Sequence, residues 1–286
     1  MKLKYGGALL MKGKSIALIL TFTAVMMGIS TFPALGADGW QQDSAQEWQY
    51  MENNKKLVNC WLAWTDGTLR YVGGDGRIMK DSWVNIHDKR YRVGADGTRY
   101  ENTWFSVLSI PKQPSIKPSN SWYYAGADGS VLRNGWYAVD GKYYYFYEWG
   151  NSPRKMFFNL DDKRYYVDEE GARKTPGWFS LTSVDGKGNS NTNWYYVTED
   201  GSLLKNGWYP MDGKMCYFDT YGIFYRNRWF NLENDRYYVD EDGARQDGWF
   251  SITVTGGDGQ EKTNWYYAEP NGVIWRNGWR EKDGKW

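Results

Sequence analysis

An aromatic residue, almost always tryptophan, recurs along the chain at intervals of 20 to 32 residues, and this repetition limits the folds that the chain can adopt. A repeat of this length is one supersecondary element, which buries too little apolar surface to fold alone. Each repeat must therefore pack against its neighbours, and the sequence predicts a solenoid. The recurring positions are Trp40, Trp61, Trp83, Trp104, Trp136, Phe157, Trp178, Trp208, Trp229, Trp249 and Trp279.

The repeats are themselves arranged in threes. From Trp136 onward, two short repeats are followed by a long one, and the pattern then starts again. Trp208 follows Trp136 by 72 residues, and Trp249 follows Trp178 by 71. The chain is therefore a copied triplet of repeats, and corresponding positions in different copies can be compared directly.

Within each repeat the residue types are those of a β-hairpin. Aromatic residues make up 19% of the chain, with 18 Trp and 24 Tyr, and they suit the pleated, half-buried surface of a strand. Each repeat has a turn, such as Asp140-Gly141 or Asp185-Gly186. In the repeat that contains Asp185-Gly186, the second aromatic strand is 194–197, and a second turn follows at 199–201. Helical periodicity is absent after the N-terminal segment. We predict an all-β fold of consecutive hairpins.

The N-terminal segment has the order of a secretory signal. Lysines precede an apolar run at 16–29, and small residues follow it. The run is shorter than the roughly 20 residues of a membrane span, although an uncleaved N-terminal anchor remains an alternative. We predict a helical signal peptide at 1–37, then about eleven repeats at 38–286, the last of them truncated. No contact with the membrane is expected after cleavage.

Composition argues against several classes of function. The net charge of +1 gives no basic field for nucleic acid. With one histidine, His87, a histidine-rich metal site or a catalytic triad is hard to assemble, and Cys60 and Cys216 are expected to be free and packed. Acidic residues cluster at turns that recur in every copy, whereas a catalytic pair is expected once. We therefore predict a protein that is not an enzyme, with no metal and no cofactor.

Two recurring segments carry a resemblance to a known family. These are Asp-Gly-Lys-Tyr-Tyr-Tyr-Phe at 140–146 and Asn-Trp-Tyr-Tyr at 193–196. They resemble the choline-binding or cell wall-binding repeats of Gram-positive surface proteins. The resemblance implies a left-handed superhelix of hairpins with small aromatic cages at their junctions, secretion to the cell surface, and attachment to choline on teichoic acid or to another wall polysaccharide.

The resemblance also implies which residues form the cages. Each cage would use the tryptophan that opens a repeat, the first aromatic residue of its second strand, and a tyrosine of the next hairpin. Ring faces attract a quaternary ammonium, and several weak cages on one chain raise its avidity for a polymer. The candidate residues are Trp104 with Trp122, Trp136 with Tyr143, Trp178 with Trp194, Trp249 with Trp265, the opening Trp208, and the third walls Tyr145, Tyr217 and Tyr267.

Some repeats depart from the cage pattern. Seven residues after the opening ring, three repeats have Arg90, Arg164 and Arg236 in place of tryptophan or tyrosine. A guanidinium there would repel choline or occupy the cage itself. Another repeat has Met215-Cys216 where its sister has Tyr143-Tyr144. Choline is therefore expected in only part of the repeats, and in any repeat the rings could simply be core.

Two other functions remain open. In the long repeats 16 residues separate Trp178 from Trp194, and the stretch 184–191 between them is polar and loop-like. Mixed short and long hairpins also resemble the carbohydrate-binding repeats of clostridial toxins and of glucan-binding domains, where exposed rings stack on sugars. The chain could also be the binding part of a wall hydrolase.

Overall fold

The computed structural model describes residues 38–110, 115, 117–276, 278, 280–282 and 284. These residues form 21 β-strands and no helix, which confirms the all-β prediction for this part of the chain. The signal peptide predicted for 1–37 lies outside the described residues. No helix among them is long and apolar enough to span a membrane.

The strands are short, and their bounds follow the repeat. In chain order they are β1 (Gly39–Gln42), β2 (Trp48–Glu52), β3 (Lys55–Lys56), β4 (Cys60–Ala63), β5 (Leu69–Val72), β6 (Ser82–Ile86), β7 (Lys89–Val93), β8 (Thr103–Ser109), β9 (Ser119–Ala125), β10 (Gly135–Val139), β11 (Lys142–Phe146), β12 (Met156–Leu160), β13 (Lys163–Val167), β14 (Gly177–Val184), β15 (Ser190–Val197), β16 (Gly207–Met211), β17 (Lys214–Phe218), β18 (Arg228–Leu232), β19 (Asp235–Val239), β20 (Gly248–Thr255) and β21 (Glu261–Ala268).

Every sheet is formed by strands that follow each other in the chain. The first three strands make one sheet, and all later strands pair two by two. We call the five hairpins with a two-residue turn the short hairpins: β6–β7, β10–β11, β12–β13, β16–β17 and β18–β19. In two of these turns both residues have positive φ, as a type I′ turn requires: Asp140 (49°) with Gly141 (77°), and Asp212 (48°) with Gly213 (77°).

We call β8–β9, β14–β15 and β20–β21 the long hairpins. The polar stretch 184–191 is not a loop throughout, because β14 reaches Val184 and β15 begins at Ser190. Thr182 and Thr192 face each other in register, and their hydroxyls lie 2.7 Å apart. Threonine pairs of this kind stabilise a strand pair that has little apolar surface. The turn between the strands is short, and the Asp185 carboxylate accepts the N–H groups of Lys187 and Asn189.

The core is a series of residues at the ends of the second strands. Each is at most 1% exposed, because the next turn of the chain folds over it. Val197, for example, pairs across this turn with Leu203, which is also buried. These residues are Val72, Val93, Ala125, Phe146, Val167, Val197, Phe218, Val239 and Ala268.

Main-chain hydrogen bonds join each hairpin to the one before it. The residue six positions beyond the buried strand end donates its N–H to the second strand of the preceding hairpin. Leu203 donates to the Arg164 carbonyl and Phe224 to the Trp194 carbonyl, each at 2.8 Å. We call these donor positions the linking residues. They place one side chain from each hairpin beside the rings of its predecessor.

The chain divides into two compact units. Of the described residues, one unit contains those up to 137 together with 146–152, and the other contains 138–145 and those from 153 onward. In each unit consecutive antiparallel hairpins stack on one another through the hydrogen bonds and buried strand ends just described.

Candidate ligand-binding site

In most hairpins the opening ring packs against the aromatic residue opposite it in register; Trp83, which is opposite Arg92, is an exception. Trp178 faces Tyr196, and their ring centroids are 5.2 Å apart in an edge-to-face arrangement. Trp61 with Tyr71 and Trp208 with Tyr217 repeat this geometry at 5.0 and 5.2 Å. Edge-to-face pairs are favoured by the charge distribution of the rings, so the opening ring is held with one face available to a further group.

In three short hairpins that further group is an arginine of the same hairpin. The arginine stands on the second strand, diagonally across from the opening ring, so that its guanidinium lies over the ring face. The sequence indicated that a guanidinium could occupy these cages, and the structure places it there. The distances from guanidinium carbon to ring centroid are 3.7 Å for Arg90 over Trp83, 4.7 Å for Arg164 over Phe157 and 4.5 Å for Arg236 over Trp229.

In three other hairpins the guanidinium comes from the next hairpin. Its source is the linking residue, whose N–H donates to the second strand of the hairpin that carries the ring. The side chain of that residue then covers the ring. The distances are 5.1 Å for Arg99 over Trp61, 4.8 Å for Arg173 over Tyr143 and 5.6 Å for Arg245 over Trp208.

The tryptophans of two long hairpins are different. Trp178 and Trp194 are 41% and 37% exposed, and Trp249 and Trp265 are 46% and 67% exposed. In the described part of the chain, no guanidinium or ammonium lies over any of these four rings. The linking residue that follows β14–β15 is Phe224 rather than an arginine. Among the described residues, β14–β15 and β20–β21 therefore keep aromatic faces that no cation of the protein covers.

Trp178 and Trp194 line one groove of about 320 Å³, which we call the aromatic groove. Trp178 and Trp194 stand on the same face of β14–β15, because Trp194 is opposite Ser180, two residues beyond Trp178. The next hairpin and the turns beyond it supply the other walls. The full lining is Trp178, Trp194, Met211, Asp212, Lys214, Cys216, Phe224, Arg226 and Asp242.

The aromatic groove carries balanced charge. Lys214 and Asp242 form an ion pair with Nζ and Oδ2 2.9 Å apart, which lowers the pKa of Asp242 and raises that of Lys214. Asp212 and Arg226 add one further charge of each sign. The groove therefore offers a cation two ring faces, and its two carboxylates are matched by two cations of the protein.

Cys216 and Phe224 form the wall of the groove that the next hairpin provides. Cys216 is buried, and burial raises the pKa of its thiol, as does the nearby Asp240. Phe224 packs against Trp178 with ring centroids 4.8 Å apart. A Cβ at Gly243, which has φ of 80°, would overlap the Phe224 ring, so Gly243 allows that ring its position. Both cysteines are free, as the sequence indicated.

The three predicted third walls lie elsewhere. Tyr217 is buried against Trp208 and Phe230, because the alternation of β17 turns Cys216 rather than Tyr217 toward the aromatic groove. Tyr145 is half-buried against Phe158. Tyr267 is half-buried between Trp249 and Trp275, with centroid distances of 5.3 and 4.3 Å.

The remaining candidate residues have varied surroundings. Trp104 packs against Tyr124 and Phe146, at 5.3 and 5.6 Å. Trp122 is half-buried, and its carbonyl accepts the N–H of the linking residue Ser152. The rings of Tyr143 and Trp208 lie under Arg173 and Arg245, as described, and Trp136 is half-buried.

Sequence reasoning missed the linking arginines. A signal for them was present, since Arg99, Arg173 and Arg245 each stand two residues after an Asp-Gly or Glu-Gly turn and are 74 and 72 residues apart. Their role depends on hydrogen bonds between hairpins, which no local sequence pattern predicts. Phe224 and Arg226 were missed for the same reason.

Three segments match a family model described as "Putative cell wall binding repeat": residues 116–131, 227–244 and 260–274. The second covers β18–β19 and the turn after it, and the other two cover β9 and β21 with the turns that follow. These three segments are similar to cell wall binding repeats. This confirms the resemblance seen in the sequence motifs, and the aromatic groove lies between two hairpins of the same array of repeats.

Several solved structures are similar to this chain at low identity. The autolysin LytC of Streptococcus pneumoniae, in complex with a synthetic peptidoglycan ligand, is 22% identical over 86% of this chain and 50% of its own, with a TM-score of 0.48. The choline-binding domain of CbpL from the same organism is 22% identical over 74% of this chain and 98% of its own, with a TM-score of 0.46. Choline binding protein F of that organism is 22% identical over 82% of this chain and 92% of its own, with a TM-score of 0.49.

This chain spans half the length of the LytC chains that it matches. No curated protein sequence matches it.

Proposed function

We propose that the chain attaches to the wall of a Gram-positive bacterium through the open tryptophans of β14–β15 and β20–β21, which bind choline or a related quaternary ammonium group on teichoic acid or another wall glycopolymer. The observation that supports this most is the contrast between hairpins. Six rings in the short hairpins and β4–β5 are covered by an arginine of the protein, whereas Trp178 and Trp194 line an aromatic groove of about 320 Å³ without one over them.

The covered rings indicate which ligand the open ones would take. A guanidinium is a weakly hydrated cation, and in this chain guanidinium groups lie over the faces of these rings. A quaternary ammonium is also weakly hydrated, and it has no N–H to satisfy. The open rings of Trp178 and Trp194 are therefore expected to accept a quaternary ammonium in the position that a guanidinium takes elsewhere in the chain.

One such groove would bind weakly. Cation–π contacts contribute about 0.5 to 2 kcal/mol each, so two rings give a dissociation constant of about 1 mM at the strongest. The wall polymer carries many identical groups, and the chain repeats its long hairpin. Binding at several grooves at once would raise the avidity by about 100-fold or more where the spacing allows it.

Calorimetric titration of the full chain with choline chloride tests the proposal. Trp178→Ala and Trp194→Ala should each reduce the number of sites by one, because the groove needs both rings to bind choline. Trp149→Ala is the matched control, since Trp149 is 65% exposed but lies outside the long hairpins. No heat from the unaltered chain would rule out choline, and equal losses in the control and the groove variants would rule out this groove.

We propose further that the described residues bind without catalysis and that the protein acts outside the cell. Release of reducing ends or free amino groups from purified cell walls should not rise above background when the full chain is added. Release above background would instead favour the alternative that these repeats serve a wall hydrolase. Recovery of the chain in the wall fraction of fractionated cells tests the location.

A further inference from the structure

Two arginines of the short hairpins contact a second ring, which comes from two hairpins further along the chain. Besides the ring of its own hairpin, Arg90 has Trp149, with 5.9 Å between guanidinium carbon and ring centroid. Arg164 has Tyr221 at 5.8 Å in the same way. Both arginines are half-buried, whereas Arg236, over which the described residues place one ring only, is exposed. The second ring therefore encloses a cation that would otherwise face solvent.

Trp149 and Tyr221 occupy the same position in the turn that follows a hairpin's second strand. We call this turn the closing turn, and its glycine N–H donates to the carbonyl three residues earlier. The two aromatic residues each follow, by two hairpins, a hairpin with an arginine over its own ring. In the other closing turns of the described chain, the residue before the glycine is acidic or asparagine: Asp75, Asp96, Asp128, Glu170, Asp200, Asp242 and Asn271. A ring thus takes this position only where an arginine of the earlier hairpin contacts it.

Packing between hairpins explains how the closing turn reaches the arginine. The Arg164 carbonyl accepts the N–H of the linking residue Leu203 at 2.8 Å. A Cβ at Gly222, which has φ of 78°, would lie 3.0 Å from the Leu204 carbonyl oxygen, so the closing turn sits directly on the linking segment. Tyr221 is thereby held beside the Arg164 side chain.

The earlier triplet repeats this arrangement with different side chains. The Arg90 carbonyl accepts the N–H of the linking residue Val131 at 2.8 Å, and a Cβ at Gly150 would overlap the Val131 side chain. Here the contact has one further hydrogen bond, because Arg90 Nη1 donates to the Trp149 carbonyl at 2.9 Å. Two triplets thus make one contact with two different aromatic residues, so the contact belongs to the repeat and not to a single turn.

The closing turn that carries Tyr221 leads directly into a wall of the aromatic groove. The Asp219 carboxylate accepts the N–H of Tyr221 at 2.8 Å, which fixes the shape of the turn. Phe224 follows this turn, donates its N–H to the Trp194 carbonyl and lines the groove. Neither Arg164 nor Tyr221 is among the residues that line it. A displacement of the turn would nevertheless displace the Phe224 wall.

We propose that Arg164 and Tyr221 clamp together the two short hairpins that flank β14–β15, and that they are positioning residues for the aromatic groove. Arg164 stands on β13 and Tyr221 follows β17, so the contact skips the long hairpin. Stacked repeats otherwise contact only their neighbours, and the clamp adds a tie between next-nearest ones. It holds Phe224 against β15. The part of this inference that concerns binding rests on the function proposed above.

Hydrogen exchange of the Phe224 amide in the full chain tests the clamp without a ligand. Tyr221→Asn, which places at 221 the neutral residue of position 271, should speed this exchange about two- to fivefold, the effect of one exposed cation–π contact. Tyr221→Trp should keep the rate of the unaltered chain, because the other triplet has tryptophan at this position. Trp149→Asn is the matched control in that triplet and should leave the Phe224 amide unchanged.

A double-mutant cycle separates the clamp from independent losses of stability. Arg164→Gln removes the cation, and in that background Tyr221→Asn should no longer speed exchange of the Phe224 amide. An undiminished effect of Tyr221→Asn in the glutamine background would overturn the clamp.

Choline tests the positioning role. At about ten times its calorimetric dissociation constant, choline should slow exchange of the Phe224 amide about tenfold, because a ligand that needs the closed wall opposes its opening. The Val131 amide, which donates to Arg90 across a covered junction, is the control and should not slow. Binding without slowing at Phe224 would overturn the positioning role. Absence of choline binding would overturn that role and the proposed function together, and the ligand-free cycle would still uphold or overturn the clamp.

Discussion

The guanidinium carbon of Arg90 lies 3.7 Å from the centroid of the Trp83 ring. At that distance the cation takes the ring face that would otherwise receive a ligand. Arg236 over Trp229 repeats the contact in a later copy. One ring platform thus takes two forms in this chain: in some hairpins an arginine of the protein covers the ring face, and in β14–β15 the described residues place no cation over it.

Removing Arg90 should cost more stability than removing Arg236. Arg90 is half-buried, burial lowers its pKa, and its Nη1 donates to the Trp149 carbonyl at 2.9 Å, whereas Arg236 is exposed. We expect Arg90→Ala to lower the free energy of unfolding by about 2 kcal/mol and Arg236→Ala by less than about 1 kcal/mol. Chemical denaturation followed by tryptophan fluorescence measures both. A larger loss for Arg236→Ala would contradict the assignment of Arg90 as the stronger internal contact.

Cys216 and Phe224 should be exchangeable only as a pair. The sister copy has Tyr144 and Ser152 at these sequence positions, so the smaller residue in one place accompanies the larger residue in the other. Cys216→Tyr alone should destabilise the chain by about 1 to 3 kcal/mol, because Phe224 already fills the shared wall. Adding Phe224→Ser should recover most of that loss and add a third ring for choline.

Thermal unfolding and choline titration of the two variants give the readouts. Phe224→Ser alone is the control, and it should lose the ring contact with Trp178 without gaining affinity. If the double variant is no more stable than Cys216→Tyr, the two residues do not share one space.

The Lys89–Asp128 ion pair should make stability depend on pH in the acid range. Although burial opposes it, hydrogen bonds from Lys89 and Ser130 lower the pKa of Asp128 to about 2, with Lys89 Nζ 2.7 Å from Oδ2. A lowered folded-state pKa stabilises the fold above the unfolded-state value of 3.8, and this stabilisation is lost as the pH falls from about 4 to about 2. Both side chains are half exposed, so the contribution at neutral pH is about 1 kcal/mol or less.

Asp128→Asn should therefore lower stability at pH 7 and flatten the fall between pH 4 and pH 2. Unfolding in urea at a series of pH values measures this difference. Asp88→Asn, a substitution in the neighbouring hairpin turn, is the matched control. An Asp128→Asn chain whose stability still falls as steeply as the unaltered chain would contradict the role of this pair.

The sequence predicted most of the fold because the residues within each repeat determine the hairpin that the repeat forms. Aromatic alternation and Asp-Gly turns fixed the hairpins, and the arginine seven residues after Trp83 indicated its position over that ring. The stretch 184–191 was harder, since serine, threonine and asparagine give almost no hydrophobic alternation even where they extend β14 and β15. Contacts between hairpins were not predictable. Which of Cys216 and Tyr217 faces Trp178 depends on the register between hairpins, and so does the arrival of Arg245 over Trp208.

A second ring at position 236 should convert a covered platform into an open one. Arg236 is opposite Asn231, two residues beyond Trp229, which is the register that Trp194 has with Ser180 and Trp178. Arg236→Trp removes the internal cation and places an aromatic side chain at the corresponding point of β19. The chain should then bind one more equivalent of choline in equilibrium dialysis, because two uncovered rings can share one ammonium. Arg236→Gln removes the charge without adding a ring and should leave the number of bound equivalents unchanged. An extra equivalent of choline in the glutamine variant would mean that charge removal alone opens the site. No extra equivalent in the tryptophan variant would mean that two rings at this register are insufficient.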